Sequence, residues 1–260
     1  RLAASSASPK CTSSGTDLTK TFEDRKKEKF YAVDHVSFQM MPGQTLGIVG
    51  ESGSGKSTLA RLLCCLEKPD GGVLSLCGQE IGDTKRKKNR EVCRKIQMVF
   101  QDPVSSFDPR RTLGEGIGES LRNAGVPRKE AEKRVRQLLE QCGLPEEFAK
   151  RYPHEVSGGQ CQRAAIARAL AIEPQILICD EATSALDVAV QKQIMELLDL
   201  LRKEKHLTIL FICHNLALVQ SFCDRILVMK QGKMVEEGTP EEVIWHPKHP
   251  YTKLLVDSVL

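Results

Sequence analysis

The sequence lacks any long apolar stretch. Its 260 residues are 40% hydrophobic, yet no run approaches the roughly 20 apolar residues that a membrane-spanning helix requires. The 28% charged content is ordinary for a globular protein. We therefore expect a chain that does not itself cross a membrane and that forms one large domain with a helical insert.

The ten cysteines lack the spacing of a metal or redox motif. No C-x-x-C occurs, and only Cys64 and Cys65 are adjacent, which argues against a zinc module or a thioredoxin-like site. Cys179 and Cys213 end apolar runs where small buried residues fit. Reduced core thiols are the favoured interpretation, with redox sensing as the lesser alternative.

Strong charge of one sign is also missing. A net charge of +4 gives no indication of nucleic-acid binding, and the basic residues between Lys85 and Arg90 fit a solvated helix face. The segment from Arg1 to Gly15 is rich in Ser, Ala and Thr but lacks the charged-then-apolar order of a signal peptide. We expect residues 1–17 to form a flexible leader.

Short apolar runs alternate with helical patterns along the rest of the chain. Two strands are predicted before the first glycine loop, followed by a helix and a turn, then further strands and a hairpin. These predicted elements are strands at 36–40, 45–49, 96–100, 175–179 and 208–213, a helix at 57–66, a turn at 69–72, a helix around 194–201, and a hairpin of 225–230 with 234–235. Strands alternating with helices predict an α/β fold with a mainly parallel sheet.

A helical subdomain is predicted at about residues 102–156. Val135, Leu138, Leu139 and Cys142 have the spacing of one buried helix face, and Gly143 begins the stop signal.

The segment from Gly50 to Thr58 has the pattern G-x-x-x-x-G-K-[ST]. Its glycines allow backbone N–H groups to approach phosphate oxygens, and the following helix N-terminus adds a favourable dipole. Lys56 is expected to reach the β- and γ-phosphates, Ser57 to ligate Mg²⁺ and Thr58 to contact phosphate. The predicted phosphate-binding residues are Gly50, Ser52, Gly53, Ser54, Gly55, Lys56, Ser57 and Thr58. An ordinary glycine turn is the alternative, which the Lys-Ser pair disfavours.

Asp180 and Glu181 follow an apolar strand, at the sheet edge where ligands of such folds bind. The first carboxylate suits Mg²⁺, and the second suits polarisation of an attacking water. The pair could instead cap a helix N-terminus. The phosphate loop upstream favours the catalytic interpretation.

The segment Val156-Ser157-Gly158-Gly159-Gln160, followed by Gln162 and Arg163, resembles the signature sequence of ABC ATPases. By itself S-G-G-Q could be a plain helix cap. The other elements of that family follow in order: Gln101 in the Q-loop, Asp180 and Glu181 in Walker B, Ser184 to Asp187 in the D-loop, and His214 at the switch position.

The resemblance implies a P-loop fold with a core sheet, antiparallel β elements and a helical subdomain, in which ATP and Mg²⁺ are bound between two subunits paired head to tail. It implies Glu181 as general base, His214 as a γ-phosphate contact, and Gln101 as a link between Mg²⁺, water and the helical subdomain. Implied nucleotide contacts from the signature and D-loop are Ser157, Gly158, Gly159, Gln160 and Asp187; implied metal ligands are Ser57, Gln101 and Asp180.

An adenine-stacking aromatic is also implied by the resemblance. Phe22 matches its position, although Phe30 or Tyr31 could serve instead. The family normally has an apolar strand before this residue, whereas Cys11 to Asp17 is polar, so either that strand is weak or the start is not native. Val156 and Cys161 are minor departures that do not threaten hydrolysis.

Three further segments, at residues 96–103, 152–155 and the HPYT segment 249–252, resemble the oligopeptide, dipeptide and nickel importers, most closely their F-type ATPase subunit. The likeness covers about Thr19 to the C-terminus, with an ATPase domain at 18–240 and a helical segment at 241–260. It implies a second ATPase subunit, identical or paralogous, two transmembrane permease subunits and an extracytoplasmic binding protein, at the cytoplasmic face of a prokaryotic membrane.

The sequence disfavours two rival functions. A soluble ABC protein acting on nucleic acid or ribosomes is disfavoured by the single ATPase domain and the HPYT segment. A catalytically silent subunit is disfavoured because Lys56, Asp180, Glu181 and His214 are all present.

Overall fold

A computed structural model describes residues 12–23, 27–82, 86–184 and 186–258. Its strands are β1 (Ser13–Glu23), β2 (Lys29–Met40), β3 (Thr45–Val49), β4 (Gly71–Leu76), β5 (Gln79–Ile81), β6 (Ile96–Val99), β7 (Ile176–Asp180), β8 (Thr208–Ile212), β9 (Arg225–Lys230) and β10 (Lys233–Gly238). Its α-helices are α1 (Lys56–Leu63), α2 (Arg86–Lys95), α3 (Leu113–Asn123), α4 (Arg128–Gln141), α5 (Gly158–Leu170), α6 (Val188–Lys205), α7 (Leu216–Phe222), α8 (Pro240–Trp245) and α9 (Pro250–Asp257).

The central layer is a six-stranded sheet in the order β10-β9-β3-β8-β7-β6. Neighbouring strands from β9 to β6 are parallel, and β10 pairs antiparallel at one edge. All five residues of β3, β7 and β8 are buried. Strands covered on both faces need continuous apolar runs, which is why the short runs in the sequence predicted them. The expected α/β fold with a mainly parallel sheet is confirmed.

Alternate residues of these strands pack into different cores. Ile178 and Ile212 join a core with α1 and the second sheet, whereas Leu177 and Phe211 join a core with α5, α6 and α7. Cys179 and Cys213 are free and buried, so they are core thiols as predicted. Burial raises the pKa of Cys179 to about 12, which keeps that thiol protonated.

The second sheet is antiparallel, in the order β2-β1-β4-β5. It corrects two predictions. Residues 13–17 belong to strand β1 and not to a leader, so three strands and not two precede the glycine loop; residues 1–11 lie outside the described ranges. The predicted turn at 69–72 also overlaps β4, which begins at Gly71.

The polar start of β1 is accommodated by pairing on both sides. Ser13 lies opposite Met40 of β2 and Leu76 of β4, and its hydroxyl donates a hydrogen bond to the Ser75 carbonyl. A central strand satisfies its backbone through both neighbours, so it forms here with few apolar side chains. Gly15 is required for close packing, because a Cβ there would lie 2.4 Å from Leu18 Cδ1.

The helical region is built from α3, α4 and α5, with 3-10 turns at Glu146–Lys150 and Pro153–Glu155. The predicted face of Val135, Leu138, Leu139 and Cys142 is buried. The limit at 156 stays a prediction, since the apolar core that holds α5 also holds β7, α6 and α7. Helix α1 ends at Leu63, three residues before its predicted end. Among the described residues, no helix combines the length and apolar character needed to cross a membrane.

Candidate functional site

Four neighbouring parallel strands bring the predicted motifs to one edge of the sheet. Just beyond the ends of β3, β8, β7 and β6, in that sheet order, lie Gly50, His214, Glu181 and Gln101. Gly50 and Glu181 follow their strands directly, whereas His214 and Gln101 each lie one residue further on. Parallel strands place their carboxyl ends at the same edge, where ligands of open α/β sheets bind. His214 and Gln101 are exposed there, so their side chains are open to a ligand.

The loop after β3 has a backbone that only glycine fits at two positions. Gly50 and Gly55 have φ values of 148° and 102°. A Cβ on Gly50 would lie 2.2 Å from the Met229 carbonyl oxygen, and one on Gly55 would lie 2.0 Å from that of Ala32. The loop is therefore pressed against the backbone of β2 and β9 and has a fixed shape.

Helix α1 begins directly after this loop without a side-chain cap. Its N-cap residue is Gly55, which has no oxygen to accept from the first-turn N–H groups. Those groups and the helix dipole form a site suited to an anion.

Lys56 lies under the loop and is only 4% exposed. Its ammonium donates to Gly50 O at 2.8 Å, Glu51 O at 2.7 Å and Ser54 Oγ at 3.3 Å. Burial lowers the pKa of Lys56, and the negative charges of Glu181 and Asp180 oppose that shift. The cation is thus held beside the open amides of α1.

Ser57 and Asp180 join α1 to the end of β7. The Ser57 hydroxyl donates to Asp180 Oδ1 at 2.9 Å. Burial raises the pKa of Asp180, whereas the bond from Ser57 lowers it. The structure therefore brings together two of the three predicted metal ligands, while Gln101 follows β6 beside β7.

Glu181 adopts a left-handed backbone, with φ of 49°. Its N–H donates to Ile212 O at 3.0 Å, and its carbonyl accepts from Ser184 N and Oγ. Such a conformation is costly for a residue other than glycine and is frequent at functional sites. The alternative role as a helix cap is wrong for this pair, because Asp187 caps the next helix by accepting from Val190 N at 2.9 Å.

The signature segment begins helix α5. The Ser157 hydroxyl accepts from Gln160 N at 3.3 Å, and Gln160 Oε1 accepts from Ser157 N at 2.9 Å. Gly159 packs on the start of α6, since a Cβ there would lie 2.5 Å from Val190 Cγ1. Ser157 and Gln160 thus form the capping box of α5, and Ser157 and Gly158 are exposed.

Phe22 and Phe30 lie opposite each other in the β1–β2 pairing, with ring centroids 6.3 Å apart. The Lys20 ammonium lies 5.4 Å from the Phe22 centroid. Phe30 and Tyr31 are 49% and 56% exposed. Because several aromatic faces are open here, the choice of Phe22 as the base-stacking residue stays a prediction.

One residue at the loop was missed from the sequence. The phenol oxygen of Tyr251, in α9, accepts from Glu51 N at 3.0 Å. In the sequence, the HPYT segment that contains Tyr251 indicates only a family likeness. The contact joins residues 200 positions apart, and no short-range pattern signals such a pair.

A family model described as "ABC transporter" matches residues 33–184. The chain belongs to the ABC transporter family.

Two relatives and one solved structure illustrate the similarity. The oligopeptide transport ATP-binding protein OppF of Salmonella typhimurium is 48% identical over 230 residues, covering 88% of this chain and 69% of that protein. The glutathione import ATP-binding protein GsiA of Escherichia coli O6:H1 is 48% identical over 237 residues, covering 91% and 38%. The dimeric post-hydrolysis structure of the ATP-binding cassette MJ0796 with ADP and Pi has a TM-score of 0.79 at 33% identity, covering 88% and 98%.

These similarities confirm the resemblance to ATPase subunits of the peptide-importer family. The chain is an ABC ATPase, and it binds and hydrolyses ATP. The expected P-loop fold with a helical subdomain matches the cassette structures.

Proposed function

We propose that this ABC ATPase powers the uptake of short peptides from the cytoplasmic face of a prokaryotic membrane. It works with a second ATPase subunit, two permease subunits and an extracytoplasmic binding protein. The observation that carries the proposal is the convergence of Lys56, the Ser57–Asp180 pair, Glu181 and His214 at one sheet edge. On this proposal, that edge would supply the phosphate-binding, metal-binding and water-orienting groups that one subunit contributes to hydrolysis of a bound triphosphate.

The loop from Gly50 to Thr58 would hold the phosphates. The uncapped first turn of α1 offers N–H donors, and Lys56 adds a positive charge that is already desolvated. Charge-assisted hydrogen bonds are about twice as strong as neutral ones, so the terminal phosphates are the part of ATP that this loop favours.

Ser57 and Asp180 suit Mg²⁺. The described residues contain no group of three or more His, Cys, Asp or Glu side chains arranged to hold a metal. A hydroxyl and one carboxylate, 2.9 Å apart, fit an ion that binds few protein ligands and takes its remaining oxygens from phosphate and water. Gln101 would add a ligand from the next strand. The bound ion supplies neutralisation of phosphate charge.

Glu181 would act as the general base. Its backbone is held by the bond to Ile212 O and by the bonds from Ser184, so its side chain extends from a fixed backbone position next to Asp180. His214 follows the neighbouring strand and would contact the γ-phosphate. Both roles need only orientation of water and charge, which is what phosphoryl transfer demands of a protein.

The site would be completed by a second subunit. Within one chain, the phosphate loop packs against β9 through Gly50 and Met229, whereas the signature packs against α6 through Gly159 and Val190. The two segments are thus supported by different elements. We infer that Ser157, Gly158, Gly159, Gln160 and Asp187 face the nucleotide of the partner. The cassette MJ0796, a structural relative, is dimeric.

Short peptides are the proposed solute, because the similar OppF and GsiA proteins are named for oligopeptide and glutathione transport. Nickel or another metal complex is the competing outcome. OppF and GsiA are both named for transport, which favours a transporter subunit over a soluble protein acting on nucleic acid.

The test is uptake in a strain lacking this gene, complemented with wild type or Glu181→Gln. We expect wild type to restore uptake of labelled di-, tri- and pentapeptides and the variant to restore none. Glu196→Gln, the same chemical change on an exposed face of α6, serves as the matched control and should restore uptake. Restored nickel uptake without peptide uptake would reject the peptide assignment.

A further inference from the structure

The C-terminal helix α9 reaches the first peptide of the phosphate loop through Tyr251. The tyrosine is 3% exposed, and its phenol oxygen accepts from Glu51 N at 3.0 Å. The Lys230 ammonium lies 4.6 Å from the ring centroid. The side chain is therefore enclosed, and its one polar atom is directed at the loop.

The same peptide group also holds Lys56. The N–H of Glu51 and the carbonyl of Gly50 belong to one planar unit, so they move together. The carbonyl accepts from Lys56 Nζ at 2.8 Å while the N–H donates to Tyr251. Rotation of this peptide would break both bonds, which ties the position of the lysine ammonium to the tyrosine hydroxyl.

The start of α9 is itself fixed. The Glu236 carboxylate, on β10, accepts from Lys248 N at 2.8 Å and from His249 N at 3.0 Å. His249 Nδ1 then accepts from Tyr251 N at 3.1 Å and caps the helix. These bonds connect the backbone at Tyr251 to β10. Because the start of α9 is held in this way, the Tyr251 hydroxyl is kept close to Glu51 N.

We propose that Tyr251 is a positioning residue for ATP binding: its hydroxyl fixes the Gly50–Glu51 peptide and, through it, the ammonium of Lys56. The inference rests on the proposed phosphate-binding role of this loop. Tyr251 does not touch the substrate. Its effect is to hold the loop in its binding shape before ATP arrives, which reduces the ordering cost of binding.

The test is Tyr251→Phe in the full chain, with ATP affinity measured by competition against a fluorescent ATP analogue. The variant keeps the ring and its contact with Lys230 but removes the acceptor for Glu51 N. We expect the Kd for ATP to rise about threefold to tenfold, as loss of one hydrogen bond allows. The kcat at saturating ATP should change less than twofold, because the bound nucleotide restores the loop.

Val256→Ala is the matched structural control. Val256 is a buried residue of the same helix, so its truncation weakens α9 but leaves the hydroxyl in place. It should lower the Tm while ATP affinity stays at the wild-type value, whereas Tyr251→Phe should lower affinity with little change in Tm. An unchanged Kd in Tyr251→Phe, or parallel losses in both variants, would overturn the positioning role. A wild-type chain that binds no ATP would instead refute the assignment of the loop.

Discussion

The two glycine-containing segments, one at the phosphate loop and one at the signature, each precede a helix but treat its N-terminus in opposite ways. Helix α1 starts from Gly55 and has no side-chain cap. Helix α5 starts from Ser157, whose hydroxyl and Gln160 form a reciprocal capping box. The backbone N–H groups in the first turn of α1 therefore have no side-chain acceptor at the N-cap. In α5, the Ser157 hydroxyl accepts a hydrogen bond from one such N–H group, that of Gln160.

The glycines also differ in what requires them. Gly50 and Gly55 combine positive φ values with a backbone oxygen 2.0–2.2 Å from the site of a Cβ, so no other residue fits. Gly158 and Gly159 lie within helix α5, and Gly159 is crowded by a valine side chain. The phosphate loop therefore has a fixed backbone shape. At the signature, in contrast, a Cβ on Gly159 would meet only the Val190 side chain, which a smaller residue at that position would shorten.

The largest effect is expected from Glu181→Gln, which keeps the phosphate loop but removes the carboxylate that we propose as the general base. We expect kcat to fall by about a hundredfold or more, because general base catalysis contributes roughly 10²–10⁴-fold. ATP affinity should be retained, since the loop is untouched. The rate of phosphate release gives kcat. Light scattering in the presence of ATP should show a stable dimer of the variant if the signature of one chain closes on the phosphate loop of another. Turnover at the wild-type rate would remove Glu181 from this role.

A smaller effect is expected from Lys56→Ala, which breaks the preformed pocket. Loss of a buried cation and its charge-assisted bonds should weaken ATP binding by at least about tenfold. Affinity can be measured by competition with a fluorescent ATP analogue. Lys205→Ala, an exposed lysine at the end of α6, is the control and should bind normally. Equal affinity in the two variants would contradict the loop assignment.

The smallest effect should come from Gly159→Ala, which tests the signature side of the comparison. Its Cβ would meet Val190 Cγ1 at 2.5 Å, whereas a Cβ on Gly158 would stand 3.6 Å from Leu186. We expect severalfold slower hydrolysis for Gly159→Ala and unchanged ATP binding by the single chain.

Adding Val190→Ala should relieve the crowding and restore part of the rate in Gly159→Ala. Steady-state hydrolysis of the single and double variants measures this recovery. Failure of Val190→Ala to restore any activity would show that packing on α6 is not what limits the signature.

The elements that the sequence predicted well are those with a local pattern. Strands β3, β7 and β8 are continuous apolar runs, and the loop and signature each consist of a few adjacent residues. The polar strand β1 was missed because its stability comes from two neighbouring strands and not from its own side chains. The short strands β4 and β5 were also missed, because they lie in a stretch that begins with turn residues; β5 is an edge strand that pairs with β4.

The sequence by itself was enough to predict an ABC ATPase, because each motif is a short stretch whose residue types and order indicate that family. Only the tertiary structure decided which distant groups support it. The pairing of Ser57 with Asp180, the packing of Gly159 on Val190 and the bond from Glu51 to Tyr251 join residues far apart in the chain. Such contacts depend on how the sheets and helices pack, and a local pattern of residues contains no record of that packing.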